Sequence, residues 1–140
     1  MNVHLNRRYR FSASHRLHSP ELSEEENREC YGKCNNPHGH GHNYTVEITL
    51  SGEVDPVSGM VCNLADIDSF MHSRLIGRFD ESNLNQDEFF RNQIPTTEAL
   101  CKGIFDQIAR NFSGARLERV RVEETSNNAF EYHRAGKRFQ

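Results

Sequence analysis

The sequence predicts an α+β domain in which two helices pack on a four-stranded antiparallel sheet, in the order β-β-α-α-β-β. Three observations predict it. Residues 40–53 alternate between apolar and polar side chains, and residues 64–76 and 95–112 each contain an apolar stripe with helical spacing. No repeat, low-complexity tract or linker interrupts the 140 residues. We therefore expect one domain over residues 1–140.

The first strand is predicted over residues 3–15, where apolar and polar side chains alternate weakly and His15 falls on the same parity as Phe11 and Ala13. The acidic residues 19–29 that follow are prone to form helix, and we expect them to be a solvated surface excursion. The second strand, residues 40–53, has the clearest pattern in the chain. Its alternation predicts one buried face and one solvent-exposed face.

Two helices follow a turn at residues 55–59. Asn63 is a suitable N-cap for a helix over residues 64–76, and Pro95, Thr96, Thr97 and Glu98 open the second helix. Both helices have one apolar face. The predicted core residues are Leu64, Ile67, Phe70, Met71 and Leu75 in the first helix, and Leu100, Ile104, Ile108 and Phe112 in the second.

The last two strands are predicted around Leu117–Val122 and around Phe130–Tyr132, on either side of a turn at residues 126–128. A four-stranded open sheet leaves two edges without hydrogen-bond partners. The open edges favour assembly of the chain with copies of itself.

Composition excludes several classes of protein. Seventeen basic residues stand against 20 acidic ones, a net charge of −3, and this disfavours a general nucleic-acid-binding role. No apolar run approaches the roughly 20 residues that span a bilayer. The first residues lack the apolar core of a signal peptide. These observations predict a cytoplasmic protein without a membrane partner, with its four cysteines reduced.

Eight histidines are the unusual feature of the composition. His40 and His42 lie two residues apart and therefore on one face of the second strand, and antiparallel pairing would bring His15 beside them. Three imidazoles with an open position are typical of catalytic zinc sites. A closed structural zinc site of Cys30, Cys34, His40 and His42 is a rival interpretation, because the two cysteines are also plausibly spaced.

Several segments resemble one known family. Residues 11–17 and 32–44 resemble the signature segments of the 6-pyruvoyltetrahydropterin synthase family, which includes the related 6-carboxytetrahydropterin synthases. Residues 96–98 and 124–128 resemble its pterin-binding segments. The resemblance runs from about residue 9 to residue 132. The spacing after Cys34 is similar to that of the pyruvoyl enzymes, and longer than is typical of the carboxy enzymes.

The resemblance implies the tunnelling fold, in which trimers close a barrel and two trimers stack as a homohexamer with active sites at subunit interfaces. It implies a lyase of tetrahydrobiopterin biosynthesis that converts 7,8-dihydroneopterin triphosphate to 6-pyruvoyltetrahydropterin with release of triphosphate. The chain contains no Gly-x-Gly-x-x-Gly fingerprint of a nicotinamide or flavin site, which agrees with such a reaction.

The resemblance also implies roles for individual residues. Zinc would be held by His15, His40 and His42, and Cys34 would be the general base, in a catalytic set completed by Asp80 and Glu81. The pterin would be bound by Thr96, Thr97, Glu98 and Glu124. The triphosphate requires cations, for which the sequence offers Arg7, Arg8, Arg10, Arg16, Lys137 and Arg138.

Glu81 departs from the family pattern, which has histidine at this position. An imidazole exchanges protons near neutral pH, whereas a carboxyl group with a pKa near ~4.3 does so only if burial raises that value. Three hypotheses follow: a lyase of the pyruvoyl type, a related pterin enzyme such as a 6-carboxytetrahydropterin synthase, and a zinc- and pterin-binding protein with little turnover.

Overall fold

The computed structural model describes residues 1–135, and its central element is one five-stranded sheet. The strands are β1 (Asn2–His15), β2 (His40–Glu53), β3 (Ser82–Asn83), β4 (Arg116–Thr125) and β5 (Asn128–His133), in the spatial order β3-β1-β2-β4-β5. The four long strands agree with the prediction and pair antiparallel. The prediction of a four-stranded, purely antiparallel sheet was wrong, because β3 adds to the edge in parallel with β1. A two-residue strand is too short to show any alternation.

The α-helical segments are α1 (Glu24–Tyr31), α2 (Leu64–Met71), α3 (Gly77–Phe79) and α4 (Thr97–Asn111). Both predicted helices are present. The acidic excursion forms the additional helix α1, which begins with a capping box between Ser23 and Glu26. Its one buried residue is Asn27, whose amide hydrogen-bonds the backbone of Ser19 and Ser23.

The helix that begins at α2 continues three residues beyond the predicted end. Asn63 caps it as expected by accepting a hydrogen bond from the backbone N–H of Ala65 at 2.9 Å. A π-helical turn over His72–Ile76 then joins α2 to α3, after which the chain leaves the helix at Asp80. Such turns contain an extra residue relative to an α-helix.

The core lies between one face of the sheet and the helices. Its fully buried side chains come from β2, α2 and its continuation, and α4, and include Val46, Ile48, Leu50, Ile67, Met71, Leu75, Leu100, Ile104 and Ile108. These are the apolar positions that the alternation and the helical spacing predict. Burying one such side chain contributes about 1.5–3 kcal/mol.

The second face of β2 is not the solvent-exposed face that alternation predicts. Glu47, Thr49 and Ser51 are buried on it. Long charged side chains from the neighbouring strands cover these residues: Arg8 binds the Glu47 carboxylate at 2.6 Å, and Arg119 binds both Glu47 and Thr49. A polar residue type therefore did not indicate exposure here, since buried polar groups with complete hydrogen bonds are tolerated.

None of the helices within residues 1–135 is long and apolar enough to cross a membrane.

Candidate functional site

The pairing of β1 with β2 gathers three histidines at one end of the sheet. His15 is the cross-strand partner of His40, and Ala13 is the partner of His42. The ring centroids of His15 and His42 are 5.0 Å apart, and those of His40 and His42 are 4.9 Å apart. The antiparallel pairing that the sequence suggests therefore does bring these imidazoles together.

His15 is the most buried of the three, with 1% of its surface exposed. Its Nδ1 lies 2.8 Å from the carbonyl oxygen of Pro95. Because a carbonyl only accepts, Nδ1 bears the hydrogen and Nε2 presents a lone pair. Within residues 1–135 that buried Nε2 has no hydrogen-bond partner. Burial lowers the pKa of His15, which favours the neutral form that binds metals.

Cys34 approaches the same point from a 3₁₀ turn, Gly32–Asn35, that follows α1. Its Sγ lies 3.6 Å from Nε2 of His42. One donor atom each from His15, Cys34 and His42 lie within 4.8 Å of one another, and we call these three residues the histidine–cysteine cluster. Imidazole and thiolate are the ligands that zinc prefers in proteins.

Gly39 allows the chain to pass close to the backbone of His15. It adopts a φ of +78°, and a Cβ at this position would lie 2.6 Å from the His15 carbonyl oxygen. Any other residue would therefore push the segment before β2 away from β1.

The cluster differs in membership from both zinc sets considered from the sequence. His40 lies beside His42 and is half-buried, but it is outside the group of three. Cys30 is exposed near the end of α1 and does not join the group. The structure therefore brings together parts of both sets and leaves out the additional cysteine that a Cys₂His₂ site requires.

Glu124, on β4, is the acidic group that acts on this cluster. Burial raises the pKa of the Cys34 thiol, and the negative charge of Glu124 raises it further. Burial also lowers the pKa of His42, an effect that Glu124 opposes. A hydrogen bond from the buried Thr97 hydroxyl holds one oxygen of the Glu124 carboxylate. The carboxylate predicted to bind the pterin is thus adjacent to the predicted metal ligands.

The other two predicted pterin-binding residues lie at the start of α4. Thr96 is its N-cap, and its hydroxyl oxygen accepts a hydrogen bond from the Ala99 N–H at 3.2 Å. Glu98 is exposed in the first turn. The helix-start interpretation of this segment is therefore confirmed, and of the residues in it Thr97 is the one that contacts Glu124.

Tyr44 lies next to the cluster, on the buried face of β2. Its hydroxyl oxygen lies 3.4 Å from Nδ1 of His15. Burial raises the pKa of its hydroxyl well above the ordinary value. The signal available in the sequence was weak: a tyrosine at a core position requires a partner for its hydroxyl.

Asp80 and Glu81 lie at the outer edge of β1, away from β2. The Asp80 carboxylate accepts a hydrogen bond from the backbone N–H of Ser12 at 2.9 Å, and the Glu81 N–H donates to the Ser12 carbonyl at 2.6 Å. Glu81 is exposed and has a φ of +56°. Neither carboxylate contacts Cys34 within the described part of the chain, so a single chain does not assemble the predicted catalytic set of Cys34, Asp80 and Glu81.

The structure distinguishes among the cations considered for the triphosphate. Arg7 is bound to Asp68 and Arg8 to Glu47, so both already have carboxylate partners. The side chain of Arg16 contacts the Asn35 carbonyl at 3.3 Å, next to the cluster in sequence. Lys137 and Arg138 lie outside the described residues.

Comparison with known proteins identifies the family. A family model described as 6-pyruvoyl tetrahydropterin synthase matches residues 4–135. This protein belongs to the 6-pyruvoyl tetrahydropterin synthase family. The 6-pyruvoyl tetrahydrobiopterin synthase of Homo sapiens is 46% identical over 129 residues, which is 91% of this chain and 89% of the relative. That of Drosophila melanogaster is 47% identical over 130 residues, 91% of this chain and 77% of the relative.

The fold agrees with a solved structure of a 6-pyruvoyl tetrahydropterin synthase, that of Caenorhabditis elegans. The two superpose with a TM-score of 0.89 at 42% identity, over 96% of this chain and 97% of the other. The zinc that the 6-pyruvoyl tetrahydropterin synthase resemblance implies is compatible with the residues present. The buried Nε2 of His15 has no hydrogen-bond partner among residues 1–135, and its neighbours are an imidazole and a thiol.

Proposed function

We propose that this protein is a 6-pyruvoyl tetrahydropterin synthase, a lyase that converts 7,8-dihydroneopterin triphosphate to 6-pyruvoyltetrahydropterin with release of triphosphate. The observation that supports this function most directly is the buried, unpartnered Nε2 of His15 beside His42 and Cys34, with Glu124 acting on the same cluster. A metal ligand set, a thiol and a ring-binding carboxylate are the three groups that the reaction requires.

His15, His40 and His42 are the proposed zinc ligands. His15 and His42 present donor atoms within the cluster, and the His40 ring contacts the His42 ring. When bound, zinc supplies a Lewis acid that acidifies the C–H next to the substrate side-chain oxygens, and a positive charge that favours the Cys34 thiolate.

Cys34 is the proposed general base. Its Sγ lies at the cluster and is half-buried, so it can reach a substrate held there while bulk water has limited access. Without a cation nearby, burial and the negative charge of Glu124 raise the pKa of the Cys34 thiol and favour its protonated form.

Glu124 is the proposed pterin anchor. A carboxylate can accept two parallel N–H bonds from the 2-amino-4-oxo edge of the ring, which fixes orientation as well as affinity. Thr97 hydrogen-bonds one carboxylate oxygen and thereby restricts rotation of the side chain. Thr96 and Glu98, at the start of α4, complete the proposed pocket.

The remaining catalytic groups are proposed to come from a second subunit of a homohexamer, in which trimers close a barrel. Asp80 and Glu81 lie at the outer edge of β1, directly before β3, and within residues 1–135 they contact Ser12 and not Cys34. A site shared between subunits predicts complementation. Mixed assemblies of Cys34→Ala and Asp80→Ala chains should regain part of the activity that each variant alone has lost, because some interfaces then combine an intact Cys34 with an intact Asp80.

One incubation tests the function itself. Pure zinc-loaded protein is mixed with 7,8-dihydroneopterin triphosphate and the products are identified by mass. We expect 6-pyruvoyltetrahydropterin and triphosphate. Formation of 6-carboxytetrahydropterin would assign the related activity instead, and unchanged substrate with measurable pterin binding would indicate a binding protein. We propose the cytosol as the location of this activity.

A further inference from the structure

A cavity of about 460 Å³ lies between the segment that follows β1, the helix α1 and the 3₁₀ turn that carries Cys34. Its lining includes two arginines, Arg16 and Arg28, together with His18 and the buried Asn35. Glu24 is the one acidic residue among the described residues that line it. The cavity therefore has an excess of positive charge and of hydrogen-bond donors.

Asn35 holds the polar groups of this cavity in place. Its side-chain amide nitrogen donates to the Leu17 carbonyl at 2.7 Å and lies 3.2 Å from Nδ1 of His18. Because the amide nitrogen only donates, Nδ1 of His18 accepts, and the ring hydrogen is on Nε2. Within residues 1–135 this Nε2 has no hydrogen-bond partner. His18 therefore keeps one N–H group with which to bind a ligand.

The two arginines also keep donors for a ligand. Nε of the half-buried Arg16 donates to the backbone carbonyl of Asn35 at 3.3 Å, which leaves its Nη1 and Nη2 groups. Arg28 and Glu24 lie four residues apart on α1, the spacing of a helical ion pair, yet they form none. In the described part of the chain neither guanidinium binds a carboxylate. A guanidinium without a carboxylate is well suited to phosphate oxygens, which it binds with two parallel hydrogen bonds.

The cavity adjoins the histidine–cysteine cluster through two short segments. Arg16 directly follows His15, and Asn35 directly follows Cys34. The backbone N–H of Leu17 donates to the Cys34 carbonyl at 2.7 Å, so the two segments are joined to each other. A ligand at the cluster is therefore close to the cavity.

The shape of the proposed substrate matches this arrangement. Its triphosphate is at the end of the side chain, and its pterin ring is at the other end of the molecule. With the ring at Glu124 and the side-chain oxygens at the cluster, the triphosphate extends past the cluster on the side away from Glu124. Glu124 does not line the cavity, which lies beyond the Cys34 turn.

We propose that this cavity binds a polyphosphate chain, namely the triphosphate of the substrate, through Arg16, His18 and Arg28, with Asn35 as a positioning residue. The proposal rests on the proposed function, which supplies the substrate.

The test separates the triphosphate from the ring. Calorimetry on the Zn²⁺-loaded protein measures the dissociation constants of inorganic triphosphate, of 7,8-dihydroneopterin and of 7,8-dihydroneopterin triphosphate. We expect the unmodified chain to bind inorganic triphosphate and dihydroneopterin at the same time, and the complete substrate to displace both.

Variants of the cavity should act on the triphosphate alone. Arg16→Gln should weaken the binding of inorganic triphosphate by about tenfold, the lower end for hydrogen bonds to charged groups. Arg28→Gln should weaken it by about threefold, because this side chain is exposed and screened by water. His18→Phe, which removes a neutral donor, should also cost about threefold. The affinity for dihydroneopterin should stay the same in all three variants, which shows that they are folded.

Two further variants serve as matched controls. Glu24→Gln removes the negative charge from the lining and should tighten the binding of inorganic triphosphate by about twofold. Arg74→Gln removes an exposed arginine that does not line the cavity and should have no effect. High salt should weaken triphosphate binding in every chain, and least in Arg16→Gln and Arg28→Gln.

Inorganic triphosphate also chelates metal ions, so each titration is repeated on the metal-free protein. Binding that requires Zn²⁺ and is unchanged by the arginine variants would contradict the proposal, because the anion would then be bound to the metal. Triphosphate that depends on the arginines but does not compete with the complete substrate would also contradict it. The cavity would then serve a separate phosphate-bearing molecule.

Failure of the proposed function gives a different result. In that case the unmodified chain binds neither dihydroneopterin nor its triphosphate, and inorganic triphosphate alone reports on the cavity. If dihydroneopterin binds and inorganic triphosphate does not, the cavity proposal is wrong and the proposed function stands.

Discussion

Strand β1 contributes to two polar clusters, one near its middle and one at its end, which differ in how completely their hydrogen bonds are made. In the middle, the Asp68 carboxylate accepts from Nε and Nη2 of Arg7 at 2.6 and 2.5 Å and from the Tyr9 hydroxyl at 2.7 Å. At the end, the Nε2 of His15 is buried and lacks any partner in the described chain.

The difference separates a structural network from a binding site. The middle cluster fixes α2 to β1, and each carboxylate oxygen of Asp68 has a donor. In the end cluster, the hydrogen bond between His15 and the Pro95 carbonyl likewise fixes the imidazole. The Nε2 atom of the same ring, however, has no hydrogen-bond partner within residues 1–135. A buried polar atom without a protein partner is uncommon in a folded protein, and water, an ion or a ligand can satisfy it.

The largest expected effect comes from removing a proposed ligand. His42→Ala should reduce zinc from about one ion per chain to almost none. This loss is greater than the roughly 10–100-fold in affinity that follows removal of a group hydrogen-bonded to a metal ligand. Metal analysis of the purified variants measures this. Tyr9→Phe and Cys30→Ser should keep their zinc. If Cys30→Ser or Cys34→Ser empties the site while His15→Ala does not, the end cluster is a structural Cys/His site.

The next effect concerns the thiol within the open cluster. Cys34→Ala should keep zinc, assembly and pterin affinity, while turnover falls by roughly 10²-fold or more, as for loss of a general base. Product formation from 7,8-dihydroneopterin triphosphate measures it, with the exposed Cys30→Ala as the matched control. Turnover at the level of the unmodified chain would exclude Cys34 from proton transfer, and loss of zinc would make it a ligand.

A change in the closed network should alter stability and leave the site intact. Asp68→Asn should lower the free energy of unfolding by about 1–2 kcal/mol, since hydrogen bonds to charged groups are strong but this carboxylate is only half-buried. Denaturation in urea measures the loss. Zinc content and turnover should not change, and a large loss of either would mean that the two clusters are not independent.

The same network predicts a pH dependence. Hydrogen bonds from Arg7 and Tyr9 lower the pKa of Asp68 from 3.8 to about 2. The unfolded chain therefore binds this proton first as pH falls, and the stabilisation is complete above pH 3.8 and disappears towards pH 2. The stability difference between the unmodified chain and Asp68→Asn should shrink over this interval. A difference that persists at pH 2 would contradict the assignment.

The smallest effect is expected at Glu81, which belongs to neither cluster within one subunit. Glu81→His should raise turnover by a few-fold if the glutamate only occupies the place of a proton-transferring imidazole near neutral pH. Glu81→Gln then has little effect. Abolished turnover in Glu81→Gln, or a shifted pH optimum in Glu81→His across pH 5 to 9, would give Glu81 a role of its own. Unchanged rates in both would make it a bystander.

The sequence predicted the long elements because each has a regular period. The alternation in β2 and the stripe in α4 are repeated over many residues, and the caps at Asn63 and Thr96 are local to the chain. The sequence did not predict β3, whose two residues are defined by their distant partner β1. The alternation in β2 also predicted that Glu47 is solvent-exposed. Glu47 is buried because Arg8 and Arg119, on the neighbouring strands, bind it, and such contacts between strands are not visible in a local pattern.

In the site, the pairing of His15 with the second strand was predictable from parity and antiparallel order. The position of Cys34 relative to His42 depends on a 3₁₀ turn and on the left-handed Gly39, so spacing alone left two zinc sets open. The contact of the Tyr44 hydroxyl with His15 joins β2 to β1, and the hydrogen bond of Thr97 with Glu124 joins α4 to β4. No local pattern predicts these contacts, since the partners are far apart in sequence.

The π-helical turn at His72–Ile76 determines the direction in which the side chains of α3 point. Each residue of a helix advances the chain by about 100° and 1.5 Å, so the extra residue in this turn determines the direction in which α3 delivers Phe79 and Asp80. Phe79 is buried against Phe11, with 5.7 Å between ring centroids, and Asp80 reaches Ser12 on the neighbouring edge. Deleting a single residue here would restore an ordinary helix, turn Phe79 out of the core and move Asp80 away from the strand. We therefore expect a deletion here to disturb both Phe79 and Asp80, and a substitution at the exposed residues His72, Ser73 or Arg74 to leave them in place.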